Sequence, residues 1–201
     1  GSSNTGIGRN SIDTNTTGSS NTALGYFSLA ANTTASDNTA VGYHSLYNNT
    51  TGANNTGIGH TALTANTTGA DNTSLGKGSM QANTTGANNV GLGRSALDAN
   101  TTGASNTAVG KSALTENTTA SNNTAVGYIA LGANTTGASN TAVGASAMYE
   151  GVTTGSFNTM VGVSSGRKMT SGASNTGVGV NALESNTTGA NNTGIGMSAL
   201  S

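Results

Sequence analysis

Few side chains in this sequence could do chemistry: two His, six Lys or Arg and seven Asp or Glu among 201 residues, with no Cys. His44 and His60 carry no column of carboxylates with them, as a metal site or a nucleophile with its base would require. The Gly6-Ile7-Gly8 and Gly110-Lys111-Ser112 triplets share residues with phosphate-binding loops. The first lacks a third Gly and a following helix, and the second has Ser105 where a P-loop needs Gly. The chain therefore reads as a non-enzyme with no catalytic, metal or cofactor-binding residues.

Two clusters remain as candidate contact sites. Tyr26, Phe27, Tyr43, His44 and Tyr47 concentrate aromatic surface in one region, as a patch for a cell-surface glycan would, although stacked aromatics also simply stabilise a ladder. Between Tyr149 and Ser171 a residue is inserted near Gly151-Val152, Met160 and Gly166 break the local pattern, and Arg167-Lys168 brings two cations together. That segment reads as a tolerated bulge or as a contact site. Asn-Thr-Thr recurs at Asn15, Asn32, Asn49, Asn66, Asn83, Asn100, Asn117, Asn134 and Asn186, formally a glycosylation acceptor each time. A turn-forming Asn followed by ladder-forming Thr accounts for the same tripeptide.

What positions these residues is a 17-residue phrase, typified by Gly103–Thr119, GASNTAVGKSALTENTT. Residues 1–201 read as one repeat domain with repeats starting at 1, 18, 35, 52, 69, 86, 103, 120, 137, 155, 172 and 189, the last truncated and the ninth one residue longer. Position 4 is always Asn: Asn4, Asn21, Asn38, Asn55, Asn72, Asn89, Asn106, Asn123, Asn140, Asn158, Asn175 and Asn192. Position 8 is always Gly: Gly8, Gly25, Gly42, Gly59, Gly76, Gly93, Gly110, Gly127, Gly144, Gly162, Gly179 and Gly196. Position 5 is Thr except at Val90, position 7 is aliphatic, position 11 is Ser or Ala, and position 12 is Ile, Leu or Met except at Gly166. Position 9 takes almost anything, Arg9, Lys77, Arg94 and Lys111 sharing it with Tyr26, Tyr43, His60 and Tyr128, so it must face water or a partner.

This pattern predicts an all-β, parallel β-solenoid of about 12 turns. In Asn106–Gly110, Thr107 and Val109 share one face of a strand and Gly110 ends it. A second short strand is expected around Ala113-Leu114, followed by a turn at Asn117-Thr118-Thr119. Apolar spacings of five and twelve residues match no helical period. Stacked at ~4.8 Å per coil, the rod would be about 55 Å long. The position 4 Asn residues would then hydrogen-bond along a column, as Asn ladders do in cross-β assemblies. Positions 7 and 12 are expected to be buried and position 9 exposed, so that Val109→Asp would break the rod and Lys111→Ala would do little. Small residues at positions 6 and 11 would let a sister chain approach.

The phrase N-T-A-V-G-x-x-A-L resembles the N-S-V-A-I-G repeats of trimeric autotransporter adhesin heads. In its longer form it is similar to the NTAVGYxALxxNTTGxN repeats of phage tail fibres and related surface proteins. The resemblance covers nearly the whole chain and implies a left-handed β-roll, commonly with three chains about one axis. The chain departs from the adhesin heads in having three more residues per turn and Thr where they place an apolar residue.

Charged residues make up 6% of the chain, with a net charge of −1, which leaves no basic footprint for nucleic acid; no stretch is long and apolar enough for membrane insertion. A start and stop in mid-pattern, without Met, suggest a segment of a longer chain. The expectation is a structural shaft of an extracellular, cell-surface or virion-borne fibre, partnered by itself as a homotrimer or as an end-to-end filament. The alternative is an ice-binding solenoid. Thr16 and Thr17 argue against it, because adjacent residues should point to opposite sides.

Overall fold

The computed structural model describes residues 1–201. Each repeat contributes one three-residue strand, from β1 (Thr5–Ile7) through β7 (Thr107–Val109) and β10 (Thr159–Val161) to β12 (Thr193–Ile195). The twelve strands form one parallel sheet in sequence order, every strand between the two end ones paired with those of the coils before and after it. Register is kept residue for residue, so Thr107 stands between Val90 and Thr124, and Val109 between Leu92 and Val126. This is the expected parallel β-solenoid.

The second expected strand does not form. Ser112 and Leu114 have φ of 57° and 50°, and the same left-handed backbone recurs at positions 10 and 12 along the rod. A left-handed residue cannot continue a pleated strand, so this side of the coil is a run of turns. It is still laddered: the Leu97 and Leu114 N–H groups donate to Ala113 and Ala130 carbonyls of the next coils at 3.0 Å. Left-handed backbone costs a bulky L-residue about 1–2 kcal/mol. It persists because the position 12 side chains fill the core, where Leu97, Leu114 and Leu131 are fully buried.

The inward face of the strand is the reverse of the expected one. Ala108, Ala125 and Ala142 at position 6 are fully buried, whereas Ile7, Leu24, Leu75 and Ile195 at position 7 are 59%, 45%, 47% and 72% exposed. Position 12 is buried in every coil but the first and last, and position 9 is exposed except at the half-buried Ala145, as expected. The physical reason is room. The coil is one side chain wide, so a strand residue facing the position 12 leucine must be small. A Cβ on Gly57 would already lie 3.2 Å from Leu46 Cγ and 2.7 Å from Ser45 Oγ. Positions 6 and 11 are small because they fill the coil's own interior, and they offer no approach to a sister chain.

Position 8 needs Gly for two reasons. Gly110 has φ of 133°, and a Cβ there would meet the Gly127 carbonyl oxygen at 2.3 Å. The chain corners where this residue lets adjacent coils touch backbone to backbone.

At Met160 and Gly166 the usual small and large positions are exchanged. The Met160 side chain fills the space that a position 12 leucine occupies elsewhere, since a Cβ on Gly166 would lie 2.9 Å from its Cγ and Sδ. Gly166→Leu alone should overpack the core and cost about 1–3 kcal/mol, and Met160→Ala alone should leave a cavity costing about 2–5 kcal/mol. The double variant should recover most of the loss, measured as a coupling in denaturant unfolding; additive losses would contradict the exchange.

Candidate functional site

The position 4 Asn residues form a continuous internal ladder. Asn106 donates through Nδ2 to Asn89 Oδ1 at 3.2 Å and to the Ala120 carbonyl at 2.9 Å, and its N–H donates to Asn89 Oδ1 at 2.9 Å. Its own Oδ1 accepts the N–H of Asn123 at 3.0 Å. Every donor and acceptor of a buried amide is thereby used, which neither Asp nor Ser could reproduce.

A second ladder runs through the Asn-Thr-Thr tripeptides. Asn100 Nδ2 donates to Asn83 Oδ1 at 2.8 Å and to the Gly103 carbonyl at 3.0 Å, and the column from Asn32 to Asn134 is fully buried. The glycosylation reading fails for these residues: the amide nitrogen that would carry a sugar lies inside the rod and is already donating. Only Asn15 and Asn186 of the series are partly exposed. The hydroxyl of the next residue is likewise bound, as where Thr84 Oγ1 donates to the Thr101 carbonyl at 3.0 Å.

The second ladder stops at the inserted residue. Val152 loops out, 56% exposed, and Thr153 bridges to Asn134 in the place of the missing Asn. Asn134 Oδ1 is left buried without a donor. Met169 fills the next place, fully buried. Over this break Arg167 reaches Glu150 at 3.2 Å on one side and Glu184 on the other, a clamp across three coils. Arg167 therefore serves the fold, while Lys168 is exposed.

The aromatic cluster is real and closely packed. Tyr26 stacks on Tyr43 with ring centroids 5.5 Å apart, Tyr43 on His44 at 4.1 Å and on His60 at 5.0 Å, and His44 on Tyr47 at 4.7 Å, all nearly parallel. Phe27 meets Tyr26 and His44 edge-on. The ring faces are turned to one another along the stack, so the cluster is a self-filled ladder whose outward features are ring edges and phenol oxygens. His60, which sequence reading left out of this cluster, belongs to it through the position 9 column.

That column is the chain's most distinctive exposed line. Arg9, Tyr26, Tyr43, His60, Lys77, Arg94, Lys111 and Tyr128 follow one another over eight coils, all exposed. Arg9 lies 5.8 Å from the Tyr26 ring centre and Lys111 5.5 Å from that of Tyr128. Beyond Tyr128 the column turns apolar at Val163, Val180 and Met197.

On the turn side, Asp98 sits half-buried in a shallow trough between Gln81, Ala82 and Ala99, and burial pushes its carboxyl above the ordinary value. A raised folded value means that the ionised form penalises the fold at high pH, a penalty that fades as pH falls through that value. Asp98→Asn should therefore raise the urea midpoint at about pH 7 and leave it unchanged at about pH 3. Comparison with protein-family models, curated proteins and solved structures finds no match, so the reading of these surfaces rests on their own geometry.

Proposed function

We propose that this chain is the shaft of an extracellular fibre, a tail fibre or cell-surface adhesin, that assembles as a parallel homotrimer and supports attachment. The observation that carries the reading is the outward face of the sheet. Position 7 forms an unbroken column of Ile, Leu and Val beside the position 5 Thr column, exposed or half-exposed from Ile7 to Ile195. Soluble monomers seldom leave so long an apolar surface uncovered. Held in register from coil to coil, the face is suited to a like face on a sister chain. A polar, nearly uncharged remainder and ladder hydrogen bonding fit a passive, durable rod.

Immunogold electron microscopy of the source particle or cell tests the role. Label along projecting fibres is expected, and label confined to cytoplasm would reject the proposal.

One observation favours ice binding as a second reading. The outward Thr and aliphatic columns stand two residues apart on one parallel sheet, a regular two-column array that the adjacent Thr16 and Thr17 do not provide. Thermal hysteresis at micromolar chain would rank this reading first; its absence would remove it.

A further inference from the structure

The position 9 column carries cations without counter-ions. Four of the six Lys and Arg residues stand in it, and the ion pairs of the chain are both made by Arg167, elsewhere. All seven carboxylates fall in other columns, at positions 3, 13 and 14. Lys77, Arg94 and Lys111 are moreover consecutive coil neighbours. Their backbones are tied in register, the Ser95 and Ser112 N–H groups donating to the Lys77 and Arg94 carbonyls at 3.0 and 2.9 Å. Like charges side by side on neighbouring coils repel one another, as they do across paired strands. Nothing in the fold calls for them, because position 9 accepts Ala145 and Val163 as well.

The remaining members of the stripe, Tyr26, Tyr43, His60 and Tyr128, add phenol and imidazole groups able to donate hydrogen bonds. The result is a single file of donors about 34 Å long, at one group per ~4.8 Å coil, with no carboxylate in it. We propose that this stripe binds a linear acidic polysaccharide lying along the rod axis. The coil spacing is comparable to the advance per residue of an extended pyranose chain, so carboxylates or sulfates on successive sugars can meet successive cations. Sugar hydroxyls between them can accept from the tyrosines.

Nucleic acid is a poorer fit. Duplex DNA presents a charge every ~1.7 Å, which four cations cannot match, and single strands need open ring faces for base stacking. Here the faces of Tyr26, Tyr43 and His60 are spent on one another, which leaves Tyr128 as the one ring of the stripe outside the stack. The inference does not depend on the fibre reading, since it rests on a different surface from the Thr and aliphatic face.

Fluorescence polarisation with labelled oligogalacturonate and dextran sulfate tests it, with neutral dextran and an oligothymidylate for comparison. Binding to at least one acidic glycan is expected, weakening as salt rises. The triple variant Lys77→Ala, Arg94→Ala, Lys111→Ala should lose about tenfold or more in affinity, whereas Lys168→Ala should bind as the parent does. The exposed positions should leave the circular dichroism of both variants unchanged. No binding to either acidic glycan, equal binding of oligothymidylate, or an undiminished triple variant would each overturn the proposal. Sedimentation of the same samples reads assembly separately, so a trimer that fails to bind counts against the stripe alone.

Discussion

Ala108→Asp is expected to unfold the coil around it, and the neighbouring Val109→Asp to leave it standing. Ala108 is fully buried against the position 12 leucines, so the substitution puts an unpaired carboxylate where no donor is free. An uncompensated buried charge costs about 3–5 kcal/mol. Val109 points outward, and on an exposed strand face Asp should cost about 1 kcal/mol in strand preference. Two readouts separate the variants. Far-UV circular dichroism should lose its β signal for Ala108→Asp and keep it for Val109→Asp, while sedimentation should show Val109→Asp shifted toward the single chain. Loss of the β signal in Val109→Asp with retention in Ala108→Asp would invert the faces described here.

Asn106→Asp, which changes one amide to a carboxyl, should be nearly as damaging. The side chain sits fully buried between Asn89 and Asn123, and its Nδ2 supplies two donated bonds. A carboxylate there would face the Asn89 Oδ1 and Ala120 carbonyl oxygens with no proton to share. The expected cost is about 3–5 kcal/mol at neutral pH. Burial among acceptors favours the protonated acid, so the loss should shrink as pH falls. Denaturant unfolding at several pH values checks both magnitude and sign; a variant as stable as the parent at neutral pH would show that the ladder is incidental.

The period, the parallel stacking of coils and the Asn and Gly columns were legible because each rests on identity at one phase. A residue that recurs every 17 positions must stack on itself in a coil. The direction of the strand's faces was not legible from Thr107-Ala108-Val109. Alternation gives two faces but does not say which is inside, and assigning burial to the larger aliphatic fails in a coil too narrow for it. Steric room decides, and room depends on the leucine across the coil.

The left-handed backbone at Leu114 was hidden for the opposite reason. A bulky side chain argues against that conformation locally, and only tertiary packing imposes it. The second Asn ladder was in view as Asn-Thr-Thr, yet turn formation explains the same residues, so burial could not be inferred. The Met160 and Gly166 exceptions were visible singly. Their mutual compensation appears only once positions 6 and 12 are seen to face each other. Of the aromatic cluster, proximity was legible and ring orientation was not, and orientation is what moves attention from Tyr26 and Tyr43 to the cations in line with them.

Sedimentation equilibrium of the chain at several concentrations tests the central claim, that the outward Thr and aliphatic face is covered by sister chains. Three times the 19.4 kDa chain mass, reduced toward one chain by Val109→Asp, is the predicted result. A species of 19.4 kDa at every concentration, or a polymer that grows with concentration and is indifferent to Val109→Asp, would contradict it.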